Sequence, residues 1–573
     1  MSHWGKIAFA PLSSKMLVSI LALIIPALCY ATVIPVPLTC VPNCLPAITA
    51  AIASCEALNP CTVQLEEGVY PLVAPPYSSL FNINNANNFL FAGQSAEKTM
   101  LQLKDIATVF SVSGGSNVSF SSFTVDHFRV PYTFGFTTGD SPQGTELTFD
   151  PIDYPINLTQ YPWQGRAQSV LGYDLAKGRV SAPPNVTDIY ALDNPIPLTY
   201  LSPSVLRLEG THLKQGQWMI LRHQVYSYNA FGFYGTQGVN IKGVTLLSLG
   251  GMGVYSSECT GITIDGLEIK KAPGRPMSIC ADGVHFSNSR GGAVVIQNSL
   301  FEGQGDDGIN IPTIFQAIGW ASTDGLSIQV QGRGQPLPAS PLASPGDTLN
   351  VYNVTSMAPL GTAQVASIGP NHTILLSTPL PLGAGVYSLV NVAQEYPATT
   401  LILNNTFRNN RARGALLKVS NMLATANVFE GITLPAIKTE TDGCFWYEGH
   451  PVSNWTVVDN TFIECNLWGS GGDVEIDNSV PVMKGGVPVP DTCTSWKGME
   501  SQVQHGLNIS GNTFTSLASA IHVVSTDGVS VVGNSITRGG VTPPQYDIWG
   551  EGTINGEVQG NVCNGGTCSV TGL

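Results

Sequence analysis

The chain has 573 residues with 25 Lys+Arg against 39 Asp+Glu, a net charge of −14. It is 43% hydrophobic and only 11% charged, with 61 Gly and 39 Pro, which excludes a disordered chain, a collagen and a charged coiled coil. So few basic residues argue against a nucleic-acid partner, and against any long polyanion except at a local basic site.

The first stretch reads as a signal peptide over residues 1–31. Lys6 and Lys15 precede an apolar run from Met16 to Leu28, and cleavage is expected after Ala31. As a stable membrane anchor the run is too short, and no second apolar stretch of ~20 residues follows. A secreted, extracellular protein is the expectation. Eight Asn-x-Ser/Thr sequons, at Asn117, Asn157, Asn185, Asn353, Asn371, Asn404, Asn454 and Asn508, agree with it. So do 12 cysteines. Cys40 with Cys44, Cys55 with Cys61, and Cys563 with Cys568 are local pairs. Cys259 and Cys280 are 21 apart, as are Cys444 and Cys465, and Cys493 is the expected odd thiol. No spacing resembles a zinc site, so neither metal nor cofactor is expected.

From residue 32 onward short alternating runs end in Asn or Gly, a strand signal, and no long helical periodicity is seen. Gly238-Val-Asn-Ile-Lys-Gly-Val-Thr245 recurs as Gly261-Ile-Thr-Ile-Asp-Gly-Leu-Glu-Ile269, 23 residues on. Asn405, Asn427, Asn460, Asn512 and Asn534 each open a similar unit, with a step of 22 in two places. Strands this short must share one core by stacking, which predicts an all-β, right-handed parallel β-helix. The recurring Asn suits a turn in which amides bond from coil to coil. A β-sandwich is the alternative, but its hairpin signals are sparse.

A second unit aligns Met252, Asp282, Asp307, Arg413 and Pro435, with steps of 30, 25, 106 and 22. The long step is one coil plus ~80 residues, hence an insertion. The expected organisation is N-terminal coils over 32–138, an inserted β module over 139–221, central coils over 222–311, a second inserted module over 312–398 and C-terminal coils over 399–573. Both insertions are expected to be small and barrel-like.

On that alignment Asp282 and Asp307 occupy one position on neighbouring coils, ~4.8 Å apart, with Asp306 alongside and Arg413 on the next coil. Like charges so close cannot all ionise at their free pKa, so one proton is retained. A protonated carboxyl beside an ionised one is what glycoside hydrolysis requires. On a regular strand these aspartates would point inward with Val284 and Ile309, at a cost of several kcal/mol each if unpaired. Gly283 and Gly308 are therefore expected to mark bends that turn the carboxylates outward. Any single Asp-Gly is more simply a structural turn; the three together favour chemistry.

Ala281-Asp-Gly-Val-His-Phe286, Arg290-Gly291 and Phe301-Glu-Gly-Gln-Gly-Asp-Asp-Gly-Ile-Asn-Ile311 resemble glycoside hydrolase family 110. So do Asn409-Asn-Arg-Ala-Arg-Gly414 and Trp446-Tyr-Glu-Gly449. The resemblance implies an exo-acting α-galactosidase that removes terminal α-1,3-linked galactose from glycans with inversion and without metal. It would place the catalytic carboxylates on Asp282, Asp306 and Asp307. Arg411, Arg413, Asn310, His285 and Glu448 are expected to contact substrate, and Trp446 and Tyr447 to stack on a pyranose. His285 alternates with Val284 and Phe286 and so faces solvent or the cleft; His223 is read as structural. A polygalacturonase-like hydrolase on the same scaffold is the main alternative, although its Gly-His-Gly and Arg-Ile-Lys motifs are absent. A non-catalytic carbohydrate-binding β-helix is the other.

Overall fold

The computed structural model describes residues 32–73, 78–155, 165–332, 337–469, 471–495, 502–539 and 546–573. The expected signal peptide and the sequon at Asn157 lie outside them.

The chain is a parallel β-helix. It visits three sheets in rotation, as in Gln237–Lys242, Thr245–Leu246 and Val254–Ser257, then returns to the first at Thr260–Asp265. Each sheet has 13 strands. Alternation makes one face of every strand inward, and the register stacks like on like: Ile241 on Ile264, Ile296 and Ile402. In the second sheet Phe301, Phe407, Phe429, Phe462 and Phe514 form a column with neighbouring centroids 4.9, 4.6, 5.2 and 4.6 Å apart. Four of them lie two residues after the repeating Asn405, Asn427, Asn460 and Asn512, and Phe301 follows Ser299 in the same slot.

The repeating asparagines form the expected ladder. Asn405, Asn427, Asn460, Asn512 and Asn534 each donate Nδ2–H to the Oδ1 of the next Asn, ending on Asn561, at 2.9–3.1 Å. Each Oδ1 also accepts the backbone N–H of the Asn below it. Asn427→Ala would leave the Asn405 backbone N–H without its partner and remove one bond each from Asn405 Nδ2, Asn460 Oδ1 and the Ile402 carbonyl. It should cost more than ~2 kcal/mol, read as a lowered denaturation midpoint; an unchanged midpoint would mean that water replaces the amide.

Both ends are covered. A 12-residue helix, Leu45–Glu56, packs Ile48, Ala51, Ile52 and Cys55 on the first coil between the Cys40–Cys44 and Cys55–Cys61 disulfides. The all-strand expectation missed this helix. The last coil ends in a hairpin carrying Cys563–Cys568. Two cysteine expectations are corrected. Cys493 is not the odd thiol but pairs with Cys444, and Cys259, Cys280 and Cys465 are all free and buried. Cys465 closes a coil turn with its Sγ on its own neighbouring carbonyl and points into the core, so it cannot reach Cys444.

Two insertions leave the solenoid. The first starts with Tyr132–Ser141, ahead of the expected residue 139, and closes with Trp218–Arg222. It is a nine-stranded antiparallel sheet with Arg166–Ala167 at one edge; near the other, Ser169–Asp174 pairs with Trp218–Arg222 on one side and with the short edge strands Arg179–Val180 and Asp188–Tyr190 on the other, so strands almost consecutive in the chain lie at opposite ends of the sheet. The second is a closed six-stranded barrel from Gln316–Ala321 to Leu389–Val392. No helix among the described residues is long and apolar enough to cross a membrane.

Candidate active site

The five-residue alignment is the register of the third sheet. Val254 pairs with Val284, Ile309, Ala415 and Ile437 in succession. Met252, Asp282, Asp307, Arg413 and Pro435 therefore stack two residues before each strand. The step of 106 is bridged by the barrel.

The aspartates precede their strands, so the alternation that would bury them does not apply. The glycines after them allow close packing. A Cβ on Gly283 would lie 2.5 Å from Gly308 O and 2.7 Å from the Phe301 ring. On Gly308 it would lie 2.3 Å from Gly414 O and 2.7 Å from Phe407. The bend expected at these glycines is present, and its cause is this contact with the phenylalanine column. Neither glycine has positive φ.

Asp282, Asp306 and Asp307 come together. One oxygen from each lies within 4.8 Å of the others, and all three residues are at most 4% exposed. Asp307 Oδ1 accepts the Arg413 backbone N–H at 2.8 Å, and its Oδ2 pairs with the Arg413 guanidinium at 3.0 Å. Asp282 Oδ1 accepts the Asp307 N–H at 3.2 Å, and Oδ2 meets His285 Nδ1 at 2.7 Å. Asp306 Oδ1 accepts from Arg411 at 2.7 Å. Its Oδ2 contacts both Tyr190 and Tyr226 hydroxyls at 2.5 Å. The carboxylates are near enough to hold a cation by distance, but two guanidiniums already compensate them.

These environments separate the three groups. Burial pushes Asp307 up to about 7, with Asp306 and Asp282 adding to the rise against Arg413. Burial also pulls Asp306 upward, but Arg411, Arg413, Arg222 and the Tyr190 hydroxyl outweigh it and hold this carboxyl below its ordinary range. Asp282 is raised, chiefly by burial and by Asp306, against the His285 hydrogen bond. Burial lowers His285, but the Asp282 hydrogen bond and charge overcome it and raise the imidazole.

The cluster floors a pocket of ≈ 840 Å³. One wall is Ala191–Asn194 from the first insertion, and another is Phe445, Trp446 and Glu448 from a loop after the third-sheet strand Ile437–Asp442. Arg411, Arg413, His285, Asn310, Trp446 and Glu448 all line it. Asn310, 5% exposed, keeps a buried Oδ1 with no partner among the described residues. Glu448 is held at 2.7 Å by Lys418, itself 1% exposed. Tyr447 is corrected: it does not line this pocket. Its backbone takes φ +58°, and its side chain packs beside the cluster of Phe315, Met357 and Leu389. His223 is buried beside Thr133 Oγ1 at 2.9 Å, away from the cluster.

Sequence reasoning missed five residues. Tyr190 and Tyr226 touch Asp306. Asp188 anchors Arg411 at 3.0 Å. Arg222 donates to the carbonyls of Cys280 at 2.7 Å and Gly305 at 2.6 Å, fixing the turns that carry the aspartates. Asn410 Nδ2 reaches the carbonyls of Asp306, Arg411 and Arg413 at 3.3, 3.0 and 2.8 Å, a three-way clamp on adjacent turns. Asn410 sits in the quoted Asn-Asn-Arg-Ala-Arg segment, so it alone carried a sequence signal.

Residues 386–536 match the family described as right handed beta helix region. Alpha-1,3-galactosidase B of Akkermansia muciniphila is 26% identical over 73% of this chain and 56% of its own length. Alpha-1,3-galactosidase A of Shewanella woodyi is 27% identical over 59% and 55%. Alpha-1,3-galactosidase A of Streptomyces avermitilis is 25% identical over 77% and 73%. The chain is thus similar to α-1,3-galactosidases over more than half its length and to a right handed beta helix region over part of it. It spans little more than half the length of the first two. Among solved structures, the mannuronan C-5 epimerase AlgE6 A-module of Azotobacter vinelandii is 12% identical, covers 91% of this chain and 95% of that one, and has a TM-score of 0.41. That likeness decides nothing about function. The chain carries three carboxylates and two arginines in one pocket, each held by a named partner.

Proposed function

We propose that the protein is a glycoside hydrolase that removes terminal α-1,3-linked galactose from glycans outside the cell. The observation that carries the chemistry is the trio of buried carboxylates held at different proton affinities in one pocket. Asp307, pushed up to about 7, keeps a proton for the leaving oxygen. Asp306, held ionised by Arg411, draws on the attacking water, and Asp282 with His285 adds the negative charge that keeps the proton on Asp307. Exo action is supported by the wall that Ala191–Asn194 set along one side of the pocket. An extracellular site is supported by four disulfides, which are uncommon in cytosolic proteins.

The nearest oxygens of the three carboxylates lie within 4.8 Å of one another, a tighter set than the ~6.5–9.5 Å between the carboxyl groups of inverting pairs. Asp306 Oδ2 is filled by two tyrosine hydroxyls, while Oδ1 accepts one bond from Arg411 and keeps a lone pair for a proton from water. A carboxylate held from both sides suits a base better than a nucleophile that must move to the anomeric carbon, so inversion is the outcome proposed. β-Galactose is expected as the first-formed product by proton NMR; α-galactose first would establish retention.

The test of function is incubation with an α-1,3-galactosyl disaccharide, a nitrophenyl α-galactoside and polygalacturonate. Free galactose from the disaccharide is expected. Release of uronides instead would make the protein a polygalacturonase-like enzyme, and binding without turnover would make it a lectin-like β-helix. The pH profile follows from the two carboxyls. Asp307 must carry its proton, so kcat/KM falls as pH rises through about 7. Asp306 must be ionised, so the acid limb lies below the ordinary carboxylate range. A plateau extending well above pH ~8 would remove Asp307 as the donor.

A further inference from the structure

Trp446 belongs to two cavities. Besides lining the catalytic pocket, it lines a second one of ≈ 530 Å³ together with Ile314, Phe315, Gln316, Leu342 and Tyr447. The aromatic pair Phe445 and Trp446 is 37% and 40% exposed, a large apolar area to leave open to water.

The loop presenting Trp446 is rigidly built. Asp442, 2% exposed, accepts the backbone N–H groups of Cys444, Phe445 and Trp446 at 2.9, 2.8 and 2.7 Å. The Cys444–Cys493 disulfide ties the same turn to the hairpin Gly472–Lys484 and Val487–Thr494. Phe315 N–H donates to Tyr447 O at 2.8 Å, and Ile314 bridges Glu448. So much bracing holds an indole in place, and a fixed aromatic face suits the apolar face of a pyranose.

The two cavities share a floor as well as a wall. The catalytic strand Ile309–Ile311 carries Asn310 in the first pocket. The same chain runs on through Ile314, Phe315 and Gln316 into the second, and Ile314 lies at most about 14 Å from Asn310. Ala191–Asn194 wall one side of the catalytic pocket, and the second cavity adjoins it at Trp446.

We propose that the second cavity, between barrel and solenoid, binds the sugars on the leaving-group side of the scissile bond, with Trp446 as the platform between the two sites. The inference rests on the glycosidase reading of the first pocket. It also gives Tyr447 a place on substrate, one sugar or more beyond the position expected from sequence.

Two variants test it by filling the cavity: Ser340→Trp at its exposed rim and Leu342→Trp within it. For each, folding is checked by the thermal midpoint. The ratio of kcat/KM for a neutral α-1,3-galactosyl trisaccharide to that for nitrophenyl α-galactoside should fall about tenfold. In parallel, calorimetry with the same glycan lacking its terminal galactose should show binding to the parent protein and loss of it in both variants. Unchanged ratios and unchanged binding in folded variants would overturn the subsite. If no galactoside is hydrolysed but the shortened glycan binds and the variants abolish it, the glycosidase reading fails while the subsite stands.

Discussion

Asp307→Asn should lower kcat/KM on an α-1,3-galactosyl disaccharide by ~10²–10⁴-fold, the usual worth of a general acid. On a nitrophenyl α-galactoside the loss should be much smaller, because that leaving group departs without a proton. Asp306→Asn should fail on both substrates, since the water it serves is needed in either case. The variants should remain folded: an amide keeps the shape, and Arg413 retains its backbone hydrogen bond to the residue 307 side chain. The pattern discriminates between roles. If Asp306→Asn is the variant spared on the nitrophenyl substrate, donor and acceptor are exchanged. If both variants retain full turnover, the chemistry lies elsewhere.

Tyr190→Phe with Tyr226→Phe should give the second largest effect. The two hydroxyls contact Asp306 Oδ2 at 2.5 Å each and one another at 2.8 Å. Three oxygen–oxygen contacts need three hydrogens, and the hydroxyls supply only two. With Asp306 ionised, both hydrogens go to Oδ2 and the edge between the tyrosines is bare. When Asp306 takes a proton from water, the ring gains its third hydrogen and closes. The tyrosines therefore position the carboxylate at rest and accommodate it once protonated. Without the two hydroxyls the Asp306 carboxylate is no longer held against the water, and misplacing a catalytic group by about 1 Å is worth ~10²-fold, so a loss of that order in kcat is expected. Losing donors to the carboxylate also raises Asp306, which moves the acid limb of the pH profile upward. KM should change little. An acid limb that stays in place would show that Asp306 is not the group titrating there.

The column Met252, Asp282, Asp307, Arg413 and Pro435 was legible because a parallel β-helix converts sequence step into height. Once the coil length is known, residues in the same slot are neighbours, even across the barrel. The Asn and Phe stacks were legible for the same reason. What the first insertion brings was not legible. Asp188 and Tyr190 reach Arg411 and Asp306 because an antiparallel sheet docks on the solenoid, and docking has no period. Tyr226 follows that sheet on the return to the solenoid and is likewise placed by tertiary contact. The Cys444–Cys493 bond joins a loop to a hairpin outside the coil repeat, so spacing of 21 misdirected the pairing. The helix Leu45–Glu56 did carry its signal, with Ile48, Ala51, Ile52 and Cys55 at helical spacing and Pro46 in the first turn. Its outward face is Ala, Thr and Ser rather than charged, which blurs the contrast between faces.

Three carboxylates from two neighbouring turns converge around one glycosidic bond at the end of a glycan. A crystal of Asp307→Asn soaked with the α-1,3-galactosyl disaccharide tests this most directly. The account predicts a galactose seated between Ala191–Asn194 and Trp446, its glycosidic oxygen within hydrogen-bond reach of residue 307 and its anomeric carbon beside a water on Asp306. A galactose bound outside this pocket, or one whose glycosidic oxygen faces away from all three residues, would contradict it.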